Sequence, residues 1–493
     1  MSTRKTLVAL IALAIIGGFA YYTSLRPAPT KTHKIFQVKA AEIQRIELKG
    51  PAHDIVIERG KPGLWRIVKP VDADADNSAA DALASAIADL QTTETVETNP
   101  TDLGIFGLAD PAVTVFVTTR DGRKLPGVMV GKNTPIGASA YIKLADEPAV
   151  QLVDAGFSGE AMKSLNDLRT RVLIGYTADQ INRVVLTKSD GSTMELTRKG
   201  DAWSIVKPRA YPADTAAVNQ LLDTIAAARV AEFVDDHPGD LNRFGLAAPS
   251  LKLEVFGGKD NAEESLLFGF QQSQAYRNAV YARRGEGDQP ICTVADYVVK
   301  ELNKGFDDFR DKTVMRFARK DVARVTVVGG PVQIVVDRAG KDQWTVTGAG
   351  RTVAAETPVV QSLLDQLHDL KGTRIVADPM TDAARFGMAE PTLTTTLYDA
   401  AGKVIGAIHT SQVEETATPN NPARKPVTQF HGYAMASGDP AVFEIPPQAV
   451  RDLESTATRL HSDAEPKPAP TPAGGPSAAP KAPPAAEAPP GAP

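Results

Sequence analysis

At 493 residues, with 43% apolar and 23% charged side chains, the chain is too long for one ordinary domain and apolar enough for several cores. A formal net charge of -5, with no long run of Lys or Arg, argues against a nucleic-acid partner. One cysteine, Cys292, rules out an intramolecular disulfide and a thiolate metal cluster.

Arg4 and Lys5 precede an uncharged apolar run, LVALIALAIIGGFAYY, from Leu7 to Tyr22. A spanning helix wants about 20 apolar residues, with roughly 17 as the lower limit, so the run is short but feasible. Positive charge before it keeps that end in the cytoplasm and places the rest of the chain outside. Residues 1–30 are therefore expected to be a cytoplasmic stub and a retained anchor, with the membrane as partner through residues 7–22. Gly18 and Ala20 also satisfy the small-residue rule for cleavage after Ala20. The apolar run continues through that point, and this favours retention.

Beyond the anchor the three tryptophans sit in similar phrases: Trp65 in LWRIVKP, Trp203 in AWSIVKP and Trp344 in QWTVTGA. A second marker follows each, in DLGIFGLADP around Phe106, DLNRFGLAAP around Phe244 and DAARFGMAEP around Phe386. All fit D-x-x-x-F-G-[LM]-A-x-P, at Trp-to-Phe distances of 41, 41 and 42 residues. Two markers in constant register, three times over, reveal three tandem copies of one domain of about 140 residues. Their expected bounds are 36–176, 177–316 and 317–460.

Within each copy two alternating apolar runs precede the Trp: IQRIEL and DIVIER, INRVVL and TMELTR, VARVTV and VQIVVD. Period-two alternation with β-branched residues predicts antiparallel strands, and the Trp strand continues the meander with its indole in the core. A helix follows, with Asp76, Asp214 and Thr357 as N-cap types and Pro358 suited to the first helical position. Leu83, Ile87 and Leu90, Leu221, Leu222 and Ile225, and Leu363, Leu364, Leu367 and Leu370 give its apolar face.

In the second marker Asp102, Asp240 and Asp382 read as caps of a short helical turn. The Phe and Leu (Met388 in the third copy) read as core plugs, the Gly as a left-handed residue and the Pro as the start of the next strand. Strands VTVFVT, LKLEVF and LTTTLY come next, then VMVGK, LLFGF and IGAIH, then a strand with a Tyr, and each copy closes on a helix. The unit is expected to be β-β-β-α-β-β-β-α, an α+β domain on a mostly antiparallel sheet with packed helices. From Pro466 onward the chain is almost entirely Pro, Ala and Gly; residues 461–493 are expected to be a disordered tail.

W-x-[IV]-x-x-P, an Asp-capped Leu-rich helix and F-G-[LM]-x-x-P resemble the domain-of-unknown-function family numbered 4340, over most of residues 36–460. The resemblance implies single-pass envelope proteins, often encoded beside an ABC transporter and its gliding-motility-type auxiliary subunit. It also implies a bacterial inner-membrane location with the bulk of the chain periplasmic. It brings no established catalytic residues. The third copy departs from the pattern: it lacks the Lys69-Pro70 and Lys207-Pro208 pair, and its Gly406 strand runs into an insertion, EETATPNNPARKP.

Chemistry-bearing patterns are sparse. His33, His53, His237, His368, His409, His431 and His461 show no i, i+4 pair and no HExxH. Asp72, Asp74 and Asp76 resemble the start of a calcium loop, but Asn77 and Leu83 stand at its glycine and glutamate positions. No nucleophile elbow, Walker loop or dinucleotide fingerprint occurs. Cys292 reads as a buried inert thiol. Arg277, Arg283 and Arg284 near Tyr276 and Tyr281 read as a charged strand edge, with grip on an anionic glycan or lipid headgroup as the alternative. No catalytic, cofactor or metal residue is expected. The expected function is a membrane-anchored extracytoplasmic scaffold, an auxiliary part of an ABC-type transport or envelope complex. The alternatives are an enzyme acting on a cell-wall polymer with paired carboxylates and a saccharide- or lipid-binding protein.

Overall fold

The computed structural model describes residues 32–60, 63–272, 278–285, 289–417 and 427–465. The apolar run 7–22 and the segment from Pro466 lie outside the described residues, as do Tyr276 and Arg277. Among the described residues no helix is long and apolar enough to cross a membrane.

Three mostly antiparallel sheets carry the chain, and the fold is α+β. The first runs, in spatial order, His33–Lys34, Gln91–Glu97, Val150–Asp154, Ser139–Leu144, Val128–Asn133, Val113–Thr119, Ile43–Gly50, His53–Arg59, Trp65–Lys69 and Ala73–Asp74. The second follows the same path from Glu232–Asp235 through Ile291–Ala295, Ala279–Arg284, Ala262–Gln271, Leu251–Gly257, Ile181–Lys188 and Thr193–Lys199 to Ala202–Lys207 and Tyr211–Pro212. The third repeats it from Arg374–Ala377 to Arg351–Ala355. In each, the chain leaves the Trp side, crosses one face as a helix and re-enters at the far side, as the edge strand in the second and third sheets and one strand in from His33–Lys34 in the first. The tandem repeat in the sequence is thus a repeat of strand order.

Alternation sets the faces. Ile43, Ile46, Leu48, Ile55, Ile57, Trp65, Ile67, Val113, Val115 and Val117 point to one side and are buried there. Helix α1 (Asn77–Ala88) covers them with Ala80, Leu83, Ala84 and Ile87. Asp76 caps it, accepting from the amide of Ala79 at 3.0 Å; Asp214 accepts from Ala216 and Ala217. The third copy differs. Thr357 is the first helical residue rather than the cap, its hydroxyl donates to the carbonyl of Asp342, and Glu356 holds the cap position. Pro358 at the helix start fixes that entry geometry without a side-chain cap.

All three indoles are buried, as core anchors should be, and each lies under a guanidinium: Arg59 over Trp65 at 4.3 Å, Arg198 over Trp203 at 5.8 Å, Arg338 over Trp344 at 4.4 Å.

The F-G-[LM] loops behave as read, with one refinement. Asp102, Asp240 and Asp382 accept from the amides of Gly104, Asn242 and Arg385. Gly107, Gly245 and Gly387 have φ of 70°, 70° and 66°, the left-handed region that favours glycine. The Phe, however, fills a small cluster on the other face of the sheet. Phe106 meets Tyr141 edge-on at 5.1 Å, Phe244 meets Tyr281 at 5.1 Å and Phe386 meets Tyr433 at 5.2 Å. Those are the tyrosines of the third strand after the motif. They alternate with core residues such as Ala140 and Ile142, so their rings must emerge on the opposite side.

Several expectations need correction. Each copy holds more strands than β-β-β-α-β-β-β-α, because Val150–Asp154, Ile291–Ala295 and Val442–Ile445 precede the closing helix and pair with the re-entry strand. In the first two copies that helix is broken in two, into α2 (Ala155–Ala161) and α3 (Leu165–Leu168), and later Asp296–Leu302 and Phe306–Phe309. Asp167 and Asp308 accept from the amides of Ser164 and Gly305, satisfying a new helix start in mid-segment. The third copy ends on one long helix, Pro447–Ala464, so ordered structure passes the expected boundary at 460. Its missing Lys-Pro is explained by a tight turn at Ala349 and Gly350, both at positive φ, which folds the Trp strand directly onto Arg351–Ala355. Its Val404–Ala417 strand absorbs the first residues of the insertion.

The chain groups into two compact units. One comprises Val218–Lys304 and the described residues up to Ala210; the other joins Tyr211–Ala217 to the described residues from Gly305.

Candidate functional site

The repeat signature marks no catalytic group, and two deeply buried charges, Arg169 and Arg310, lie instead where copies are joined. The segment leaving the first copy, Leu168–Tyr176, is held on both sides. Leu168 accepts from the amide of Asp76 at 2.8 Å, the amide of Thr170 donates to Asp74 at 3.1 Å, and the amide of Val230 donates to Arg171 at 2.8 Å. Gly175 donates its amide to Glu264 at 2.8 Å and Tyr176 its hydroxyl to the carbonyl of Ala262 at 3.0 Å.

At its centre Arg169 is 3% exposed. Its Nη1 bonds Asp236 at 2.7 Å and its guanidinium lies 3.8 Å from the Phe233 ring centroid. A buried guanidinium needs such a partner, since desolvation would otherwise cost several kcal/mol by the Born argument.

The second unit repeats the device. Phe309 accepts from the amide of Asp214, and the amide of Asp311 donates to Pro212. Arg310 is fully buried, with Asp378 at 2.6 Å and Asp307 at 3.2 Å. The first copy is entered differently. There the strand His33–Lys34 takes the linker's place, and the amide of Ile35 donates to Leu90 at 3.0 Å just as that of Val314 donates to Leu370 at 3.0 Å. Thr98 stands in the register of Asp236 and Asp378.

Beside Arg169, within the first unit, lies a cleft of about 710 Å³. Its lining includes Arg66, Asp72, Ala73 and Asp74 of the first copy, Arg169 and Leu173 of the linker, and Phe233, Asp236, Glu263, Glu264, Arg284 and Cys292 of the second copy. Its charges are mostly matched. Arg66 bonds Asp72 at 2.6 Å and Asp74 at 2.9 Å, holding the Asp72 carboxyl below its ordinary value. Asp76 is the helix cap. The three aspartates that resemble a calcium loop are thereby each engaged, and among the described residues no group of three or more His, Cys, Asp or Glu is placed to hold a metal ion.

The arginine cluster expected as a charged strand edge is dispersed. Arg283 and Arg284 are neighbours on a strand paired on both sides, so they point to opposite faces; Arg283 is buried and Arg284 lines the cleft. Tyr281 packs on Phe244 instead. Cys292 is buried in the cleft wall, its thiol donating to the carbonyl of Ala282 at 3.3 Å, and burial pushes its pKa up to about 12. At pH 8 only about one thiol in ten thousand is ionised, so Cys292 should resist iodoacetamide in the folded chain and react on unfolding. Mass-spectrometric labelling with and without denaturant checks this; rapid labelling of the native chain would refute it.

These features define a tandem α+β repeat protein with a polar cleft at its first linker. A family model described as a domain of unknown function, DUF4340, matches residues 65–205 and 203–358, more than half of the chain, and the chain belongs to that family. Each matched segment begins at a Trp strand and runs across a linker, so the family's unit includes Arg169 in one match and Arg310 in the next. No curated protein matches. Among solved structures, the DNA polymerase sliding clamp from Pseudomonas aeruginosa aligns with 83% of this chain and 93% of its own at 7% identity and a TM-score of 0.11, too low to carry any argument.

Proposed function

We propose that the chain is a non-enzymatic extracytoplasmic scaffold, anchored through residues 7–22, that serves as an auxiliary component of an ABC-type transport or envelope complex. The observation that carries this reading is the use of the signature Trp, Asp and Phe residues in folding, the tryptophans in cores, the aspartates as caps and the phenylalanines in the second-face clusters, with the linker arginines in buried pairs. What is left for function is surface, displayed by copies strung on an ordered linker. The charge pattern around Leu7–Tyr22 supports the placement outside the membrane.

The cell-wall enzyme reading has less support. In the cleft, Asp72 and Asp74 are bound to Arg66 and Asp236 to Arg169, so these three carboxylates are held in ion pairs rather than poised as acid and base. The saccharide or lipid reading wants an apolar pocket between sheet and helix, and the cleft is polar and lies at a linker.

Crosslinking of the membrane-bound protein in its host, with identification of what co-purifies, tests the proposal. Recovery of transporter subunits is expected; their absence above control overturns the accessory reading. A reporter active only in the periplasm, fused after Pro493, checks topology. The capping role has its own test. Asn caps about as well as Asp, so the triple change of Asp102, Asp240 and Asp382 to Asn should leave stability within about 1 kcal/mol, whereas Ala at each should cost about 0.5–2 kcal/mol. Loss of function in the Asn variant at unchanged melting temperature would point to chemistry instead.

A further inference from the structure

The two linkers are built alike, but their surroundings differ at two positions. Antiparallel bridges pair Ala75 with Arg169 and Ala213 with Arg310, which puts Ala73 and Tyr211 in the same register. Strand pairing sets Phe233 opposite Cys292 and Ile375 opposite Phe443, which makes Cys292 and Phe443 equivalent.

In the second unit Tyr211 lies over the guanidinium of Arg310 at 4.2 Å, meets Phe306 edge-on at 6.3 Å and donates its hydroxyl to Asp439 at 2.5 Å. Burial, then the bond to Asp439, pushes its phenol up from the ordinary value. Phe443 is buried as well. In the first unit the corresponding side chains are a methyl and a thiol. Phe233, where the second unit has Ile375, covers Arg169 but does not replace the lost volume, and the 710 Å³ cleft is lined by Ala73, Arg169 and Cys292 together.

We propose that this cleft binds a phenol, a tyrosyl group entering from outside the chain and taking the place that Tyr211 fills in the second unit. A guanidinium attracts an aromatic face by about 0.5–2 kcal/mol, more when water is excluded. Arg169 is buried, and among the described residues its Nε has no hydrogen-bond partner, as is also true of Arg310 beneath Tyr211, so a phenol would act on the guanidinium face rather than on Nε. Glu263 and Glu264 line the wall as acceptors for a hydroxyl, and Gln289 and Ser265 offer amide and hydroxyl partners for the groups that flank a tyrosyl ring. The volume lies within the roughly 300–1,000 Å³ of small-ligand sites. This inference does not rest on the scaffold reading.

The full chain in detergent, titrated with N-acetyl-tyrosinamide and followed by saturation-transfer NMR, tests it. Saturable binding is expected, weakened at least about tenfold in Ala73→Tyr, which supplies the plug from within. Should Ala73→Tyr fail to fold, Cys292→Phe narrows the same cleft and must weaken binding in the same direction. No saturable binding, or binding indifferent to these substitutions, overturns the proposal; equal binding of N-acetyl-phenylalaninamide overturns the assignment of a phenol. A tyrosine-containing tetrapeptide that binds more tightly than the free amide indicates a partner protein as the source. Equal affinity indicates a small molecule.

Discussion

Arg310→Ala is expected to destabilise the second unit by about 3–5 kcal/mol, the usual cost of removing one partner from a buried ion pair. The reason is what remains. Asp378, only 11% exposed, sits 2.6 Å from the guanidinium, and Asp439 lies 3.9 Å away. Without Arg310 these carboxylates and the Tyr211 ring lose the buried guanidinium that they share. Tyr211 and Phe306 also lose the flat group they stack on, at 4.2 and 5.2 Å. Asp378→Asn should cost less than Arg310→Ala, since it leaves a cation that Asp307 still contacts. The double change Arg310→Met, Asp378→Leu should be milder than the sum of the singles, because a buried pair replaced by apolar groups is often neutral. Hydrogen exchange at the amides of Leu393–Tyr398 reads the stability of this unit. A loss below about 1 kcal/mol for Arg310→Ala would show that the pair is solvated in solution.

How much of this was legible in the sequence depends on the range of the interaction. The Trp and F-G-[LM] phrases are local: cap, left-handed glycine and strand start each involve residues within a few positions, so their roles could be read directly. Alternation places Tyr141, Tyr281 and Tyr433 opposite the core, and the second-face clusters were within reach of the same rule. The linker pairs lie beyond that range, because Arg169 and Asp236 are 67 residues apart and belong to different copies. A signal did exist: D-[LF]-R closes the first two copies, and an Asp stands four residues before the motif Asp only in the copies that follow one. Thr98 in the first copy fits that rule. The cleft left no such trace, since it is defined by a methyl and a thiol where the other linker has two aromatic rings. The arginine cluster misled for the opposite reason: adjacency along a strand means opposite faces, so neighbours in sequence are not neighbours in space.

The position facing the F-G-[LM] carbonyl separates the third copy from the others, and it gives the second large effect. Gly131, Gly269 and Gly406 each stand in the second strand after the motif, in VMVGK, LLFGF and IGAIH. Gly406 instead faces the sulfur of Met315, and Ser411 occupies the place in question. A Cβ on Gly131 would stand 2.2 Å from the carbonyl oxygen of Phe106, and one on Gly269 would stand 2.0 Å from that of Phe244. Both obstacles are backbone, so the loop must move, and with it the hydrogen bond from the amide of Lys132 to Phe106. Gly269→Ala should therefore cost about 1–3 kcal/mol, the range for forced overpacking, although alanine suits a strand better than glycine. In the third copy Met388 replaces the leucine, the loop stands off far enough for a side chain, and Ser411 donates its hydroxyl to the carbonyl of Phe386. Ser411→Ala leaves that buried acceptor without its donor and should cost about 1–3 kcal/mol. Addition of a methyl group in one copy and removal of a hydroxyl in another are thus expected to do similar harm. Thermal melting of the two variants decides the matter, and a Gly269→Ala protein as stable as the parent would mean that the loop is not seated on the strand as described.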